Sequence, residues 1–354
     1  MRFARGNAVV LSSFRVRHGG DLSTARRLFG SPPAGWLDLS TGVNPWPYPY
    51  GTIHPETLTR LPQEDALEAL LAAARNAYGV PAANGLAAAP GSQALLQMLP
   101  AMRPRSRVAV LAPTYEEHTA AWRRLGHVVE EVGSLAECGE ADVVAVVNPN
   151  NPDGRITDRG RLARTAGELA GRGGWLVIDE TFADVAPEVS LASAADLPNT
   201  LIMRSFGKFF GLPGLRLGFV AGPPALVGSI ASRLGPWAVS GPAMHIGVRA
   251  LVDAEWIVRT RGRLAEMRRR LDDVLSETGL TVVGGTDLFR LVETAAAQDV
   301  YRRLGQAGIL LRSFERHPRW LRVGLPPTPG ALKRLSVELE GNRSGRAAGG
   351  RGRP

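Results

Sequence analysis

Five short runs of apolar, mostly β-branched residues recur between positions 108 and 220 of this chain: Val108-Ala-Val-Leu-Ala112, Val143-Val-Ala-Val-Val147, Trp175-Leu-Val-Ile178, Thr200-Leu-Ile-Met203 and Leu217-Gly-Phe-Val220. A run without polar alternation has to be buried on both faces, which is the situation of a strand in a parallel sheet covered by helices. Helical patterns fill the intervals. One covers Glu64 to Tyr78 and ends at Gly79, a second follows Ser92 (Ala94 to Met98), a third follows Tyr115 as far as Leu125 and stops at Gly126, and a fourth spans Asp158 to Ala170 before Gly171. Strand alternating with helix predicts an α/β sheet over roughly residues 50 to 230.

Beyond Gly241 the pattern changes. An Arg-rich amphipathic stretch, Pro242 to Leu275, carries Leu251, Ile257, Leu264, Met267 and Leu271 at three- and four-residue spacings, and its polar positions read as a solvated face. Short segments around Thr281, Leu288, Ile309 and Trp320 then predict a smaller α+β domain. The expected division is an N-terminal segment 1–47 joining the small domain and the active site, a large domain 48–241, a connecting helix with the small domain 242–340, and a disordered Gly/Arg tail 341–354.

Charge is informative for where it sits. The 42 basic side chains of the 354 residues are 40 Arg and two Lys, Lys208 and Lys333, against 33 acids, giving +9 and a pI of 10.6. Residues 1–27 hold six Arg and one Asp, and residues 341–354 hold four Arg and no acid, so residues 28–340 are neutral. A nucleic-acid-binding protein, the non-enzymatic alternative, rests on that terminal charge alone. The single cysteine, Cys138, excludes an internal disulfide framework and a Cys-based zinc cage, and the six His show no HExxH spacing, so no metal site is expected. No run approaches the roughly 20 apolar residues of a membrane helix, and the first 20 residues lack a signal-peptide pattern. A soluble cytoplasmic protein, free of membrane and nucleic acid, is the expectation.

The most informative segment is Ser205-Phe-Gly-Lys208-Phe-Phe-Gly-Leu-Pro-Gly-Leu-Arg216, directly after the run 200–203. A lysine among glycines and aromatics at a strand end is partly desolvated; its pKa should fall, which makes the amine a usable nucleophile and a Schiff-base candidate. Rival motifs fail on spacing: Ser205-x-x-Lys208 has no SDN or KTG after it, and Gly207-Lys208 lacks the upstream glycine of a Walker A loop. Asp179 and Glu180 end the run 175–178, where α/β proteins place ligands. Asn148-Pro-Asn150-Asn151-Pro-Asp-Gly154 follows the run 143–147 in the same way, and alone reads as a turn. Pro90-Gly91-Ser92-Gln93 opens a helix whose first N–H groups and Ser hydroxyl suit a phosphate.

In order and spacing these four separated motifs, with Ala112-Pro-Thr-Tyr115 after the run 108–112 as a fifth, resemble the fold-type I pyridoxal-phosphate enzymes from about residue 18 to 335. The resemblance implies a fold-type I transferase fold, with a mostly parallel seven-stranded sheet covered by helices plus a smaller α+β domain, pyridoxal 5'-phosphate as cofactor, and a homodimer. It makes Lys208 the residue that bonds the cofactor aldehyde, Asp179 the partner of the pyridine nitrogen, Asn151 a donor to the ring hydroxyl and Tyr115 a stacking ring. Gly91, Ser92, Gln93, Ser205 and Arg216 would hold the cofactor phosphate.

Within that superfamily, His18-Gly-Gly-Asp21, Trp36-Leu-Asp-Leu-Ser-Thr-Gly-Val-Asn44-Pro-Trp-Pro-Tyr-Pro49 and Gly235-Pro-Trp-Ala-Val-Ser-Gly-Pro242 resemble the L-threonine-O-3-phosphate decarboxylases of cobalamin biosynthesis. Histidinol-phosphate-type aminotransferases, also acting on a small phosphorylated substrate, are the alternative. The decarboxylase resemblance implies that His18, Asn44, Arg312 and Arg322 grip the substrate's phosphate and carboxylate. Two positions depart from the aminotransferase pattern. Phe182 stands where many relatives have a Tyr that helps bind the ring oxygen, which weakens a transaminase reading; Arg60-Leu61-Pro62 stands where relatives often have Arg-Tyr-Pro, which removes a hydroxyl reaching the cofactor phosphate from a partner subunit.

Overall fold

The computed structural model describes residues 18–194 and 197–348. Two compact units emerge: one built from Val43–Glu266 with Gly284–Leu288, the other from segments within Met1–Gly42, Met267–Val283 and Phe289–Pro354. Positions 1–17 of the expected N-terminal segment and 349–354 of the expected tail lie outside the described residues.

The first unit is built on a seven-stranded sheet in the order Gly85–Ala89, Gly218–Gly222, Thr200–Ser205, Trp175–Asp179, Val143–Val147, Arg107–Leu111, Val128–Val132. Six strands point the same way, and Gly218–Gly222 alone runs against its neighbours. The central strands Val143–Val147 and Trp175–Asp179 are buried at every position, as their unbroken apolar runs require. Leu95, Leu99, Trp122, Val227 and Ile230 pack with these strands into one core.

Two strands carry no apolar run. Gly85–Ala89 is Gly-Leu-Ala-Ala-Ala, small because the helix Pro224–Leu234 lies directly on it: a Cβ at Gly85 would come within 2.8 Å of Val227 Cβ. Val128–Val132 is an edge strand with Val128 and Glu130 exposed, and charges on an edge discourage pairing with another chain.

The helices follow their end signals. Glu64–Tyr78 stops at Gly79, whose φ of 65° is the left-handed cap, and Asp158 caps Arg159–Ala170 by accepting from the Arg161 N–H at 2.9 Å. The expected single helix from Pro242 is two, Gly241–Val252 and Ala254–Glu277. Asp253 makes the break: its carboxylate accepts from the Trp256 N–H at 3.0 Å and so caps the second helix.

In the other unit, strands Arg312–Ser313, Trp320–Gly324, Phe289–Glu293 and Thr281–Thr286 form a sheet in that order, and Leu37–Asp38 pairs in parallel with Ile309–Leu310. Helix Leu22–Phe29 packs Leu22, Ala25 and Leu28 with Trp36, Tyr301 and Leu310. The final helix, Pro329–Ala348, carries its backbone through residues 341–348, where composition predicts a frayed tail. Isolated glycines cost an established helix only about 1 kcal/mol each, too little to end it at Gly341.

Candidate active site

Asp179 closes the strand Trp175–Asp179 and is buried. Its Oδ2 lies 3.0 Å from His118 Nε2, and its Oδ1 accepts from the Thr181 N–H at 3.0 Å and from the Thr181 hydroxyl at 2.5 Å. Burial alone would raise the carboxyl's pKa. The hydrogen bond and charge of His118, with the two Thr181 bonds, outweigh it and hold Asp179 below the ordinary carboxylate value. The site therefore keeps an anion in a dry place.

Sequence reasoning passed over His118, which is buried on the helix Glu117–Arg124, 61 positions before its partner. Its only signal is the Tyr115-x-x-His118 spacing beside a strand end. The Tyr115 ring meets the imidazole edge-on at 6.3 Å, and its hydroxyl donates to Gln93 Oε1 at 3.3 Å. Tyr115, expected at the cofactor ring, thus belongs to the same group as Asp179 and Gln93.

Glu180 has a different role. Successive strand residues face opposite sides, and Glu180 accepts from Arg204 Nη1 at 2.9 Å, from the Leu191 N–H at 2.7 Å and from the Ser190 hydroxyl. Arg204 Nη2 also pairs with Asp184, and the guanidinium lies 4.4 Å over the Tyr78 ring. This buried ionic cluster ties the strand of Asp179 to the strand that leads to Lys208.

Lys208 sits on the one-turn helix Phe206–Phe209, continuous with the strand Thr200–Ser205. Phe206 and Phe210 stack at 4.3 Å, and Phe210 stacks on Trp256 at 5.6 Å, so apolar rings wall the turn. The Asn44 N–H donates to Lys208 O at 2.9 Å, Asn44 Nδ2 to Phe209 O at 2.8 Å, and the Tyr48 N–H to Phe210 O at 2.8 Å. At Gly211, where φ is 68°, a Cβ would sit 2.7 Å from Pro47 Cα. Asn44, expected at the substrate, is buried and braces the lysine turn; its Oδ1 accepts from the Trp46 N–H at 2.9 Å.

The phosphate candidates come together at one edge. Gly218 pairs with Ala89 on one side and Ser205 on the other, which aligns the turn into helix Ser92–Met98, the start of the lysine turn and Arg216. A Cβ on Gly91, whose φ is 88°, would lie 2.5 Å from an Arg216 guanidinium nitrogen, and a Cβ on Gly218 would strike the Ser92 nitrogen. Arg216 itself is in the left-handed region, with φ 54°, and donates to Pro213 O at 3.1 Å. First-turn N–H groups, a guanidinium and the hydroxyls of Ser92 and Ser205 form a donor set that fits a phosphate group.

The Asn loop divides its labour. Asn150 is buried and internal: Nδ2 donates to Pro113 O at 2.8 Å, and Oδ1 accepts from the Thr114 hydroxyl at 2.6 Å, fixing the loop before Tyr115. Asn151 is half-buried beside it. Phe182 is buried.

In the other unit, Arg322 is buried, donates from Nη2 to Ser40 O at 2.8 Å and lies 5.2 Å over the Phe289 ring. Arg312 is its direct partner across the adjacent strand, with its guanidinium 5.5 Å over Phe314. Directly paired residues share a face, so both arginines project from the same face of this sheet, a charge pattern suited to an anion. His18 is exposed.

Residues 56–337 match the model of the family "Aminotransferase class I and II". A threonine-phosphate decarboxylase of Pseudomonas aeruginosa is 44% identical over 330 residues, covering 92% of this chain and 98% of its own. A second, of Sinorhizobium, is 41% identical over 329 residues, covering 92% and 97%. Among solved structures, the histidinol-phosphate aminotransferase from Clostridium acetobutylicum shares the fold at a TM-score of 0.79, over 87% of this chain and 99% of that one, with 18% identity. By the extent of the family match and of the identity to these relatives, the chain belongs to the class I and II aminotransferase family.

Proposed function

We propose that the protein is a pyridoxal-phosphate-dependent decarboxylase that converts L-threonine O-3-phosphate to (R)-1-amino-2-propanol O-2-phosphate, a precursor of the cobalamin nucleotide loop. The observation that carries the cofactor chemistry is the buried Asp179–His118 pair at the strand end, beside a lysine turn walled by aromatic rings. The choice of substrate is supported by the identity to two threonine-phosphate decarboxylases over nearly their whole length.

Pyridoxal phosphate supplies an electron sink for the pair of electrons left when a bond to the substrate's α-carbon breaks. Lys208 would be the residue whose amine holds the cofactor's aldehyde carbon. Asp179, kept anionic, would hold a proton on the ring nitrogen, Asn151 would donate to the ring oxygen, and Tyr115 would pack on the ring. Gly91, Ser92, Gln93, Ser205 and Arg216 hold the phosphate. Arg322 and Arg312 take the substrate's anionic groups, with His18 contributing, and Asn44 keeps the lysine turn in place. With the cofactor bound, the Cα–carboxylate bond would be the one to break with release of CO2, and Lys208 or a water would return a proton to Cα. Phe182 offers no hydroxyl to the ring oxygen, which disfavours amino transfer.

A homodimer and a cytoplasmic location belong to the same reading. Leu58, Leu61, Trp237, Val252 and Val258 are among the apolar side chains of the first unit left more than half exposed, surface that a partner subunit would cover. No helix among the described residues is long and apolar enough to cross a membrane.

The test is stoichiometric. Purified protein with pyridoxal phosphate should release CO2 from L-threonine phosphate and give the amine in equal amount. Amino transfer from histidinol phosphate to 2-oxoglutarate without CO2 release would replace this reading by the aminotransferase one. Lys208→Ala should lose the visible absorbance of the lysine-bound cofactor and keep its fold; a yellow, active variant would refute the assignment.

A further inference from the structure

We infer that Thr181 is a positioning residue for the cofactor: its hydroxyl fills Asp179 Oδ1, so that the carboxylate has a single acceptor direction, on Oδ2, left for the ring N–H. The inference rests on the cofactor reading given above. An ionised carboxylate offers roughly four acceptor directions, two on each oxygen. Oδ1 receives the Thr181 N–H at 3.0 Å and the Thr181 hydroxyl at 2.5 Å, while Oδ2 receives His118 Nε2 at 3.0 Å. Three of the four are taken.

Two consequences follow from that count. The three donors come from two elements and fix the carboxylate's rotation, with Thr181 restraining Oδ1 and His118 restraining Oδ2. Donors to the charged form also make the carboxylate a weaker base. In a hydrogen bond between Asp179 and a protonated ring, a weaker base on the carboxylate side leaves the proton on the nitrogen, where the electron sink needs it. Thr181 is buried, so water does not readily substitute for its hydroxyl. The signal is local in sequence: a hydroxyl residue two positions after the acid, in Asp179-Glu-Thr181.

The experiment compares wild type, Thr181→Ser and Thr181→Val as holoenzymes, by turnover of L-threonine phosphate and by the 15N resonance of isotope-labelled cofactor nitrogen. Loss of one hydrogen bond to a charged group predicts a kcat for Thr181→Val reduced roughly ten- to hundredfold with KM changed less than about twofold. The ring-nitrogen resonance should move toward the unprotonated position in Thr181→Val and stay at the wild-type position in Thr181→Ser. If Thr181→Val does not fold, Thr181→Ala is read in the same way. An unchanged resonance and kcat in the Val or Ala protein, or equal losses in the Ser protein, would overturn the inference. A wild-type protein that binds no pyridoxal phosphate, or binds it without releasing CO2, would instead defeat the functional reading beneath it.

Discussion

His118 Nε2 and Asp179 Oδ2 lie 3.0 Å apart with both side chains buried, on elements 61 positions apart in the chain. The imidazole is the largest of the influences that hold the carboxyl low against the cost of burial. Asp179→Asn should keep the fold and lose turnover by roughly a hundredfold or more, since the charge opposite the ring nitrogen is gone. His118→Asn removes a charge-assisted bond and should cost roughly ten- to hundredfold. Steady-state kinetics on folded variants decides both; unimpaired Asp179→Asn turnover would show that the electron sink needs no anion here.

Asn44→Ala should behave as the loss of a brace. It leaves Phe209 O and the Trp46 N–H without their buried partner, at a cost of about 1–3 kcal/mol each. Urea denaturation should show the destabilisation, and kcat should fall with little change in KM. A raised KM at undiminished stability would return Asn44 to direct contact with substrate.

Arg204→Met should be severe. It strands Glu180 and Asp184 as buried carboxylates, and breaking a buried ion pair from one side costs about 3–5 kcal/mol. Chemical denaturation measures it. Glu180→Gln, which retains a hydrogen-bonding group beside the guanidinium, should cost less.

Asp21 gives a pH dependence with a definite sign. The Ser23 hydroxyl bond, followed by bonds from Thr24, lowers its pKa from 3.8 to about 2 at the start of helix Leu22–Phe29. A depressed carboxyl stabilises fully above its unfolded value and loses that contribution as pH falls through the folded one. The stability difference between wild type and Asp21→Ala should hold from neutral pH to about pH 4 and shrink toward pH 2. An NMR titration of the Asp21 carboxyl with an ordinary midpoint would contradict it.

Much of the larger unit was legible because parallel strands must be apolar on both faces: the runs at 143–147 and 175–178 fall in strands buried at every position. The strand Gly85–Ala89 was not, because a helix packed directly against it selects small residues that carry no β signature. Lys208, Asp179 and Gly91 could be read from local chemistry at strand ends. His118, the brace made by Asn44 and the Arg204 cluster could not, since each depends on contacts between segments far apart in sequence. The break at Asp253 was readable in principle, as an N-cap carboxylate three residues before Trp256.

Gly218 joins Ala89 and Ser205 through the one strand that runs against its sheet. The donors that meet there are supplied by stretches of chain more than a hundred residues apart, and none of them is a site until the three strands are zipped. A dianion seated among them therefore binds the folded sheet and not the open chain, and stabilises the fold by RT ln(1 + [L]/Kd), about 2.7 kcal/mol at a hundredfold excess over Kd. Cofactor supply is thereby a lever on this protein's lifetime in the cell as well as on its rate, because a starved population unfolds, and is degraded, more readily than a saturated one.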